Sequence, residues 1–333
     1  MTHTNDVNWL LVGTSDIARK RAAPALAALE TGRLVGVCGS DEDRTRDLAG
    51  AHGAEESYTD LDRALATTKA NAVYIATPVF RHAPEALAAL DAGKHVLIEK
   101  PLGLNAADVA PVVEKARASG LRAGCAFYRR TYPRYAHARK MLEDGSFGRI
   151  VLVRTSYWSW FNPAADDPKI WRVSKDQSGG GPLADLGSHM FDLIIGLFGL
   201  PRSVVARVGT LVQPYEVEDS SAVLLELQNG APVIASFHWS SKTWTHEFEI
   251  VGSEAKVRWF PSDTGKVIWT AGRDVEELEM PNAENVHTPL VEDFARAVLD
   301  SRDPIVPVAE AAKTNVLLDA IYESDRTEAK VNL

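Results

Sequence analysis

The 333 residues are enough for two domains with cores of their own, and 45 % apolar with 24 % charged residues excludes a disordered or fibrous chain. A balance of 36 basic against 45 acidic residues leaves a net charge of −9, which argues against a nucleic-acid or anionic-membrane surface, so any bound anion must be met locally. Cys38 and Cys125 are the only cysteines, each inside an apolar strand-like run, which predicts buried reduced thiols and no disulfide framework or zinc cluster.

The opening stretch Met1–Asp6 has neither a basic region nor a long apolar segment, and no later run approaches the ~20 residues that span a bilayer, so a cytoplasmic protein is expected. Trp9–Val12 reads as a buried strand. Gly13, Thr14, Ser15, Asp16, Ile17 and Ala18 follow at once, then an apolar-periodic helix to about Leu29. A strand, a tight glycine turn and a helix start make a phosphate cradle, because free N–H groups and the helix dipole converge there. Against the dinucleotide fingerprint G-x-G-x-x-G/A, the middle glycine is Ser15 and the last position is Ala18. Serine is small enough for close backbone approach, and its hydroxyl can donate to a phosphate. Leu34–Cys38 closes the βαβ unit. Its tip is Gly39 and not the acid an NAD ribose would want, so Ser40 and Arg44 are candidate 2′-phosphate ligands, while Asp41 could still serve a 2′-hydroxyl. The balance leans slightly to NADP over NAD.

Helices are expected over Glu42–His52 and Asp60–Thr67, then a buried strand Ala72–Ala76 leaving through Thr77 and Pro78. Ala76 is small enough for a dinucleotide to lie close, and His82 introduces the next helix, Pro84–Ala92, which stops at Gly93. The segment Lys94–Pro101 is the pivot of the chain. Val96–Ile98 reads as a strand buried on both faces, and it ends in Glu99, Lys100 and Pro101. Proline restricts the residue before it, so Lys100 should stand stiffly at the carboxyl end of the strand, where doubly wound sheets bind ligands. A helix Ala106–Ser119, capped by Asn105 and stopped by Gly120, leads to a last strand within Leu121–Phe127. Strands alternating with helices specify an α/β, parallel, doubly wound dinucleotide-binding domain over residues 1–125.

Residues 126–333 have a different grammar. After a helix near Pro133–Asp144 come alternating runs at Arg149–Trp160, Ser203–Gln213, Ser220–Gln228, Pro232–Trp239, His246–Val251, Lys256–Phe260 and Lys266–Thr270. Hairpin signals such as Gln228-Asn229-Gly230 separate several of them, which predicts a large open, mostly antiparallel sheet. Seven of the eight tryptophans lie in this half, so an aromatic outer sheet face is expected to meet a partner subunit in a homodimer or homotetramer, core packing being the rival explanation for each ring. The last helices, Thr288–Asp300 and Val308–Tyr322, are expected to pack back on the first domain.

Within this half, Gly179-Gly180-Gly181 precedes Asp185 and His189. A glycine triplet lets backbone approach a ligand closely, and the i, i+4 spacing puts the acid and the imidazole on one helix face. Histidine suits proton transfer near neutrality, and a neighbouring carboxylate can orient or charge it. No third ligand of suitable spacing stands nearby, so no metal is expected.

Taken in order, Gly13–Ala18, Thr77-Pro78 with His82, Gly93–Val96, Glu99-Lys100-Pro101, Trp171-Arg172, and Gly179–Gly181 with Asp185 and His189 resemble the Gfo/Idh/MocA oxidoreductases over nearly the whole chain. The resemblance implies a Rossmann domain followed by a substrate and oligomerisation domain. It implies NAD(P)-dependent hydride transfer at a carbinol or carbonyl carbon of a sugar, polyol or derivative. It places Lys100 between nicotinamide and substrate oxygen, makes His189 the proton acceptor or donor, and has Asp185 hold substrate or the histidine. Trp171 and Arg172 match positions near the nicotinamide, and Tyr128 with Arg129 or Arg130 are candidate substrate contacts. The rivals are a dinucleotide-binding sensor without turnover and a glycoside hydrolase using tightly held NAD.

Overall fold

The computed structural model describes residues 6–333; Met1–Asn5, part of the stretch from which the location was read, lie outside the described residues. The chain forms two compact units. One takes the residues up to Thr131 together with Ala283–Ala312, and the other takes Tyr132–Asn282 with Lys313–Leu333.

In the first unit, β1 (Val7–Val12), α1 (Ala23–Ala27), β2 (Gly32–Cys38), α2 (Glu42–Ala51), β3 (Glu56–Tyr58), α3 (Leu61–Thr67), β4 (Ala72–Ile75), α4 (His82–Asp91), β5 (His95–Ile98), α5 (Ala106–Ser119) and β6 (Ala123–Cys125) alternate along the chain. The six strands pair in parallel in the order β3-β2-β1-β4-β5-β6. Buried on both faces, the strands are unbroken apolar runs such as Trp9–Val12 and Val96–Ile98, as parallel sheets require. The order reverses between β1 and β4, and the carboxyl ends of those two strands are where such a sheet offers a crevice. The expected strand list lacked β3. Its three residues, Glu56–Tyr58, are not fully buried, so no apolar run marked them.

Helix caps follow the local chemistry. Asp41, Asp60 and Asn105 each accept a backbone N–H from the first turn of the helix they precede, and Gly120 ends α5 in the left-handed conformation. A single π turn, Ala18–Ala22, precedes α1 where a continuous α-helix to Leu29 was expected. The helix Thr288–Leu299 belongs to this unit. Its Leu290, Val291, Phe294 and Ala295 join the core, with the Phe294 ring 5.5 Å from Trp9. The last helix, Val308–Thr327, also expected here, contributes only its residues up to Ala312 and from Lys313 onward belongs to the other unit.

The second unit contains α6 (Pro133–Glu143), β7 (Ile150–Trp160), the one-turn α7 (Lys175–Ser178), α8 (Ser188–Phe198), β8 (Ser203–Gly209), β9 (Ser220–Glu226), β10 (Pro232–His238), β11 (Ser240–Gly252), β12 (Ala255–Phe260), β13 (Lys266–Ala271), β14 (Asp274–Leu278) and β15 (Val331–Asn332). Its nine-stranded sheet runs β14-β13-β12-β11-β7-β10-β9-β8-β15, antiparallel except for the β10–β7 pair. Alternation sets the faces. Val204, Ala206, Val223, Leu225, Val233, Ala235 and Phe237 point into the core, where Phe237 meets Phe191 of α8 at 5.4 Å. Two strands were not expected: β14, Asp-Val-Glu-Glu-Leu, has three acids among its five residues, and β15 is two residues long.

The outer sheet face differs from the aromatic one expected. Trp239 and Trp259 are buried, and among the tryptophans of this unit only Trp160 and Trp244 are substantially exposed. The exposed apolar row is aliphatic: Val205, Leu224 and Ile234 are cross-strand neighbours on β8, β9 and β10, each roughly half exposed.

Candidate active site

The glycine turn is built for close approach. Gly13 follows β1 with φ +108°, and a Cβ there would lie 2.7 Å from the Ala76 carbonyl oxygen at the exit of β4. Gly13 also donates its N–H to Cys38 at 2.8 Å, so the turn is stitched between the ends of β2 and β4. The first helical N–H groups beyond it have no carbonyl one turn back to bond, the usual condition for an anion site at a helix start. Thr14 and Ile17 are half-buried on this turn, and Asp16 is exposed, pairing with Lys20 at 3.0 Å.

Ser15 behaves differently from the expectation. Its hydroxyl donates to the Ala76 carbonyl at 2.8 Å, so its one proton is committed to the protein and not offered to a phosphate. The serine closes the turn onto β4, and the small Ala76 serves that contact.

At the tip of β2, Arg44 donates from Nη2 to the Thr14 carbonyl at 2.9 Å, which lays its guanidinium against the glycine turn. Asp41 is the N-cap of α2 and accepts the Arg44 N–H at 3.0 Å. Ser40 is exposed beside it. A carboxylate and a guanidinium thus share this rim, the first partly committed to a helix cap.

At the exits of β4 and β5, side chains brace the backbone. Thr77 donates its hydroxyl to Glu85 at 2.6 Å, and Pro78 leads into a short 3₁₀ turn, Val79–Arg81. His82 is almost fully buried, with Nδ1 2.8 Å from the Pro101 carbonyl and Nε2 2.8 Å from the Thr77 carbonyl. Burial lowers its pKa, against the pull of those two carbonyls, so the ring is neutral and donates to one carbonyl at a time. His82 therefore holds two strand exits together from inside, where a cofactor contact was expected.

Glu99 also turns inward. Its carboxylate accepts from Tyr74 Oη at 2.8 Å and from the Lys100 N–H at 3.2 Å, and it lies 3.1 Å from His287 Nε2. Burial pushes this carboxyl upward, but the His287 and Tyr74 bonds, with the charges of His287 and Lys100, outweigh it and hold the group below the usual carboxylate range. An ionised, fully enclosed Glu99 supports Lys100 from below and does not present itself to a cofactor. Lys100 itself is half-buried and joined to Pro101 by a cis peptide bond. Just beyond β6, Tyr128 is half-buried with its ring 4.7 Å from His287, and Arg129 and Arg130 are buried.

The remaining expected site residues lie in the second unit. Trp171 and Arg172 sit on the 3₁₀ turn Ile170–Val173, the guanidinium 5.5 Å from the Trp171 ring centroid. Arg172 donates from Nη1 to Asp185 at 2.8 Å, so the acid expected to hold substrate or histidine has an arginine partner. Asp185 lies on a π turn, Leu183–Gly187, that runs directly into α8, whose second residue is the buried His189.

The glycine triplet has a different purpose from the one expected of it. A Cβ on Gly180 would lie 2.0 Å from Tyr322 Oη, and one on Gly181 only 1.9 Å from the Glu218 carbonyl oxygen. The close approach is therefore made by the protein's own Tyr322 and Glu218. The Glu218 carboxylate, buried, accepts from the Leu183 N–H and from Tyr322 Oη, each at 3.2 Å, and burial raises its pKa to about 7. Sequence reasoning missed Glu218, Tyr322, Glu85 and His287. Each is an isolated polar residue in a segment without a motif, marked only by where the fold puts it: Glu218, Glu85 and His287 are buried, and the half-buried Tyr322 bonds Glu218.

Comparison with known proteins accords with this architecture. Residues 7–127 match the family model for the oxidoreductase family with an NAD-binding Rossmann fold, and residues 135–258 match that for the GFO/IDH/MocA C-terminal domain. Oxidoreductase P35 of Formosa agariphila is 27% identical over 315 residues, covering 94% of this chain and 97% of that protein. The 1,5-anhydro-D-fructose reductase of Ensifer adhaerens is 30% identical over 253 residues, 75% of this chain and 74% of its own. In fold, the chain superposes on the aldose-aldose oxidoreductase from Caulobacter crescentus with a TM-score of 0.90, covering 98% of this chain and 100% of the other at 24% identity. With both family domains matched in order and a parallel six-stranded sheet ahead of a nine-stranded one, the chain belongs to the Gfo/Idh/MocA family of NAD(P)-dependent oxidoreductases.

Proposed function

We propose that this protein transfers a hydride between NAD(P) and a carbinol or carbonyl carbon of a sugar, polyol or sugar derivative. The observation that carries the proposal is the support built under Lys100. A buried, ionised Glu99 receives its backbone N–H, and His82 meets the following Pro101 carbonyl, so the main chain that carries the Lys100 side chain is held at the carboxyl end of an interior parallel strand. Relatives that act on sugars, such as the 1,5-anhydro-D-fructose reductase, support the substrate class.

The dinucleotide fits the residues present: the glycine turn opens a helical turn at the carboxyl end of β1, where the strand order reverses, and Gly13 lets that turn lie against the Ala76 carbonyl at the exit of β4. Gly13, Thr14, Asp16 and Ile17 would hold the pyrophosphate by backbone, Ser40 and Arg44 the adenosine ribose, and Ala76, Thr77, Trp171 and Arg172 would lie along the rest. When bound, the nicotinamide supplies the hydride acceptor or donor. Arg44, poised over the glycine turn, favours a 2′-phosphate, and the partial commitment of Asp41 to its helix cap favours it too.

The chemistry asked of the chain is proton and charge handling. A carbinol loses hydride only as its hydroxyl loses a proton, so one group must take the proton while another stabilises the oxygen. Lys100 holds that oxygen with a fixed positive charge, and His189 takes the proton in oxidation and returns it in reduction. Asp185, with Arg172, sets the substrate face on which His189 works, with Tyr128 and Arg129 as further contacts. The exposed aliphatic row Val205, Leu224 and Ile234 supports association of copies through the second-unit sheet. Two buried cysteines, neither of them in a disulfide, support a reducing, cytoplasmic location.

The decisive experiment is a panel of aldoses and polyols followed at the nicotinamide absorbance with both cofactors, on wild type, Lys100→Met and His189→Ala. Both variants should lose at least ~10³-fold in kcat while cofactor affinity stays within ~3-fold. Normal turnover by either removes the role assigned to that residue. Binding of cofactor with no turnover of any member would favour the sensor, and sugar release without net cofactor consumption the hydrolase.

A further inference from the structure

A buried carboxylate persists as an anion only where donors surround it. Around Glu99 those donors are Tyr74 Oη and His287 Nε2 on one oxygen and the Lys100 N–H on the other. Because an ionised carboxylate only accepts, Nε2 of His287 carries the proton in this contact. His287 is 1 % exposed and comes from the returning segment Ala283–Ala312 of the same unit. It is itself tightly placed. Its N–H bonds Asn285 Oδ1 at 3.1 Å, Asn285 Nδ2 donates to the Arg21 carbonyl at 2.8 Å, and its ring faces Tyr128. One short segment thus ties the helical turn after the glycine loop to the strand end that bears Lys100.

We propose that His287 is a positioning residue for Lys100, holding the Glu99 carboxylate so that it clamps the Lys100 amide and fixes the turn from which the ammonium extends. The inference rests on the role proposed for Lys100. Three features point beyond simple core packing: a donor is used where an apolar ring would fill the space, its acceptor is the residue adjacent to Lys100, and the other carboxylate oxygen goes to the Lys100 backbone itself. Substituting the donor while keeping the ring should loosen the clamp without emptying the core.

The test compares His287→Phe, which keeps ring volume and loses the donor, with His287→Gln, which keeps an N–H donor. His287→Phe should lower kcat on the best substrate of the sugar panel by at least ~10-fold with cofactor KM within ~3-fold, and His287→Gln should recover to within ~3-fold of wild type. Amide hydrogen exchange of the cofactor-free protein gives a readout independent of activity. The segment His95–Gly103 should exchange at least ~10-fold faster in His287→Phe and near wild-type rate in His287→Gln. Should His287→Phe fail to fold by near-UV circular dichroism, Glu99→Gln replaces it, with the same loss of kcat and of protection expected. Wild-type kcat and protection in the ring-preserving variant, or equal losses in the phenylalanine and glutamine variants, overturns the proposal. If Lys100→Met is inactive while His287→Phe is normal, only the positioning role falls. If Lys100→Met turns over normally, the Lys100 role and this inference fall together.

Discussion

Replacing Glu218 by glutamine should change how stability depends on pH, and the size of the change follows from burial. In the fold the Glu218 carboxyl titrates near 7, against an ordinary 4.5, because burial penalises its charged form more than the bonds from Gly181, Leu183 and Tyr322 favour it. The folded state therefore binds this proton more tightly than the unfolded chain. Its contribution is fully present below pH 4.5 and is lost as pH rises through about 7. At 1.36 kcal/mol per pH unit, integration between pH 5 and pH 8 gives a loss of about 2.5 kcal/mol in wild type from this group. Glutamine has no such proton, and all other titrating groups are common to the two proteins. The stability of Glu218→Gln relative to wild type should thus rise by about 2.5 kcal/mol across that range, whatever fixed cost the lost hydrogen bonds impose. Urea unfolding at pH 5, 6, 7 and 8, followed by tryptophan emission, measures it, since seven of the eight tryptophans lie between residues 158 and 269 of the second unit. Two stability curves that stay parallel within about 0.5 kcal/mol would refute the reasoning, and with it the view that this carboxyl is held neutral at mildly acidic pH.

Arg44→Ala should weaken NADPH binding by ~10-fold or more while leaving NADH within ~2-fold, read by nicotinamide fluorescence titration. Gly13→Ala should weaken both cofactors at least ~10-fold, because the new methyl meets the Ala76 carbonyl at 2.7 Å in a backbone conformation that disfavours a side chain. Asn105→Ala should cost about 1 kcal/mol of stability through the lost N-cap of α5 and leave kcat unchanged, as urea unfolding and steady-state kinetics would show.

The order of elements was legible in the chain because its signals are local. Apolar runs that stop before Gly13, Thr77 and Glu99 mark parallel strands, and alternation from Ile150 onward marks a sheet with one wet face. The strands that escaped notice, Glu56–Tyr58, Asp274–Leu278 and Val331–Asn332, are edge pieces, stabilised by pairing and not by burial of a pattern. The candidate site divides along the same line. The residue types at 100, 185 and 189 suit proton and charge handling, but each alone reads as an ordinary strand-end lysine or helix residue, and it is their order along the chain with the other motifs that marks them as candidates.

What only the tertiary structure decided is which polar groups face a ligand and which face the protein. Ser15, His82 and Glu99 all sit in motif positions, yet their hydrogen bonds go to Ala76, to Thr77 and Pro101, and to Tyr74 and His287. Gly180 and Gly181 make room for Tyr322 and Glu218, which stand 142 and 37 positions further along the chain from them. Sequence determines the donors and acceptors a chain carries, but a buried polar group must be satisfied by whatever folding brings within about 3 Å, and those partners come from distant segments.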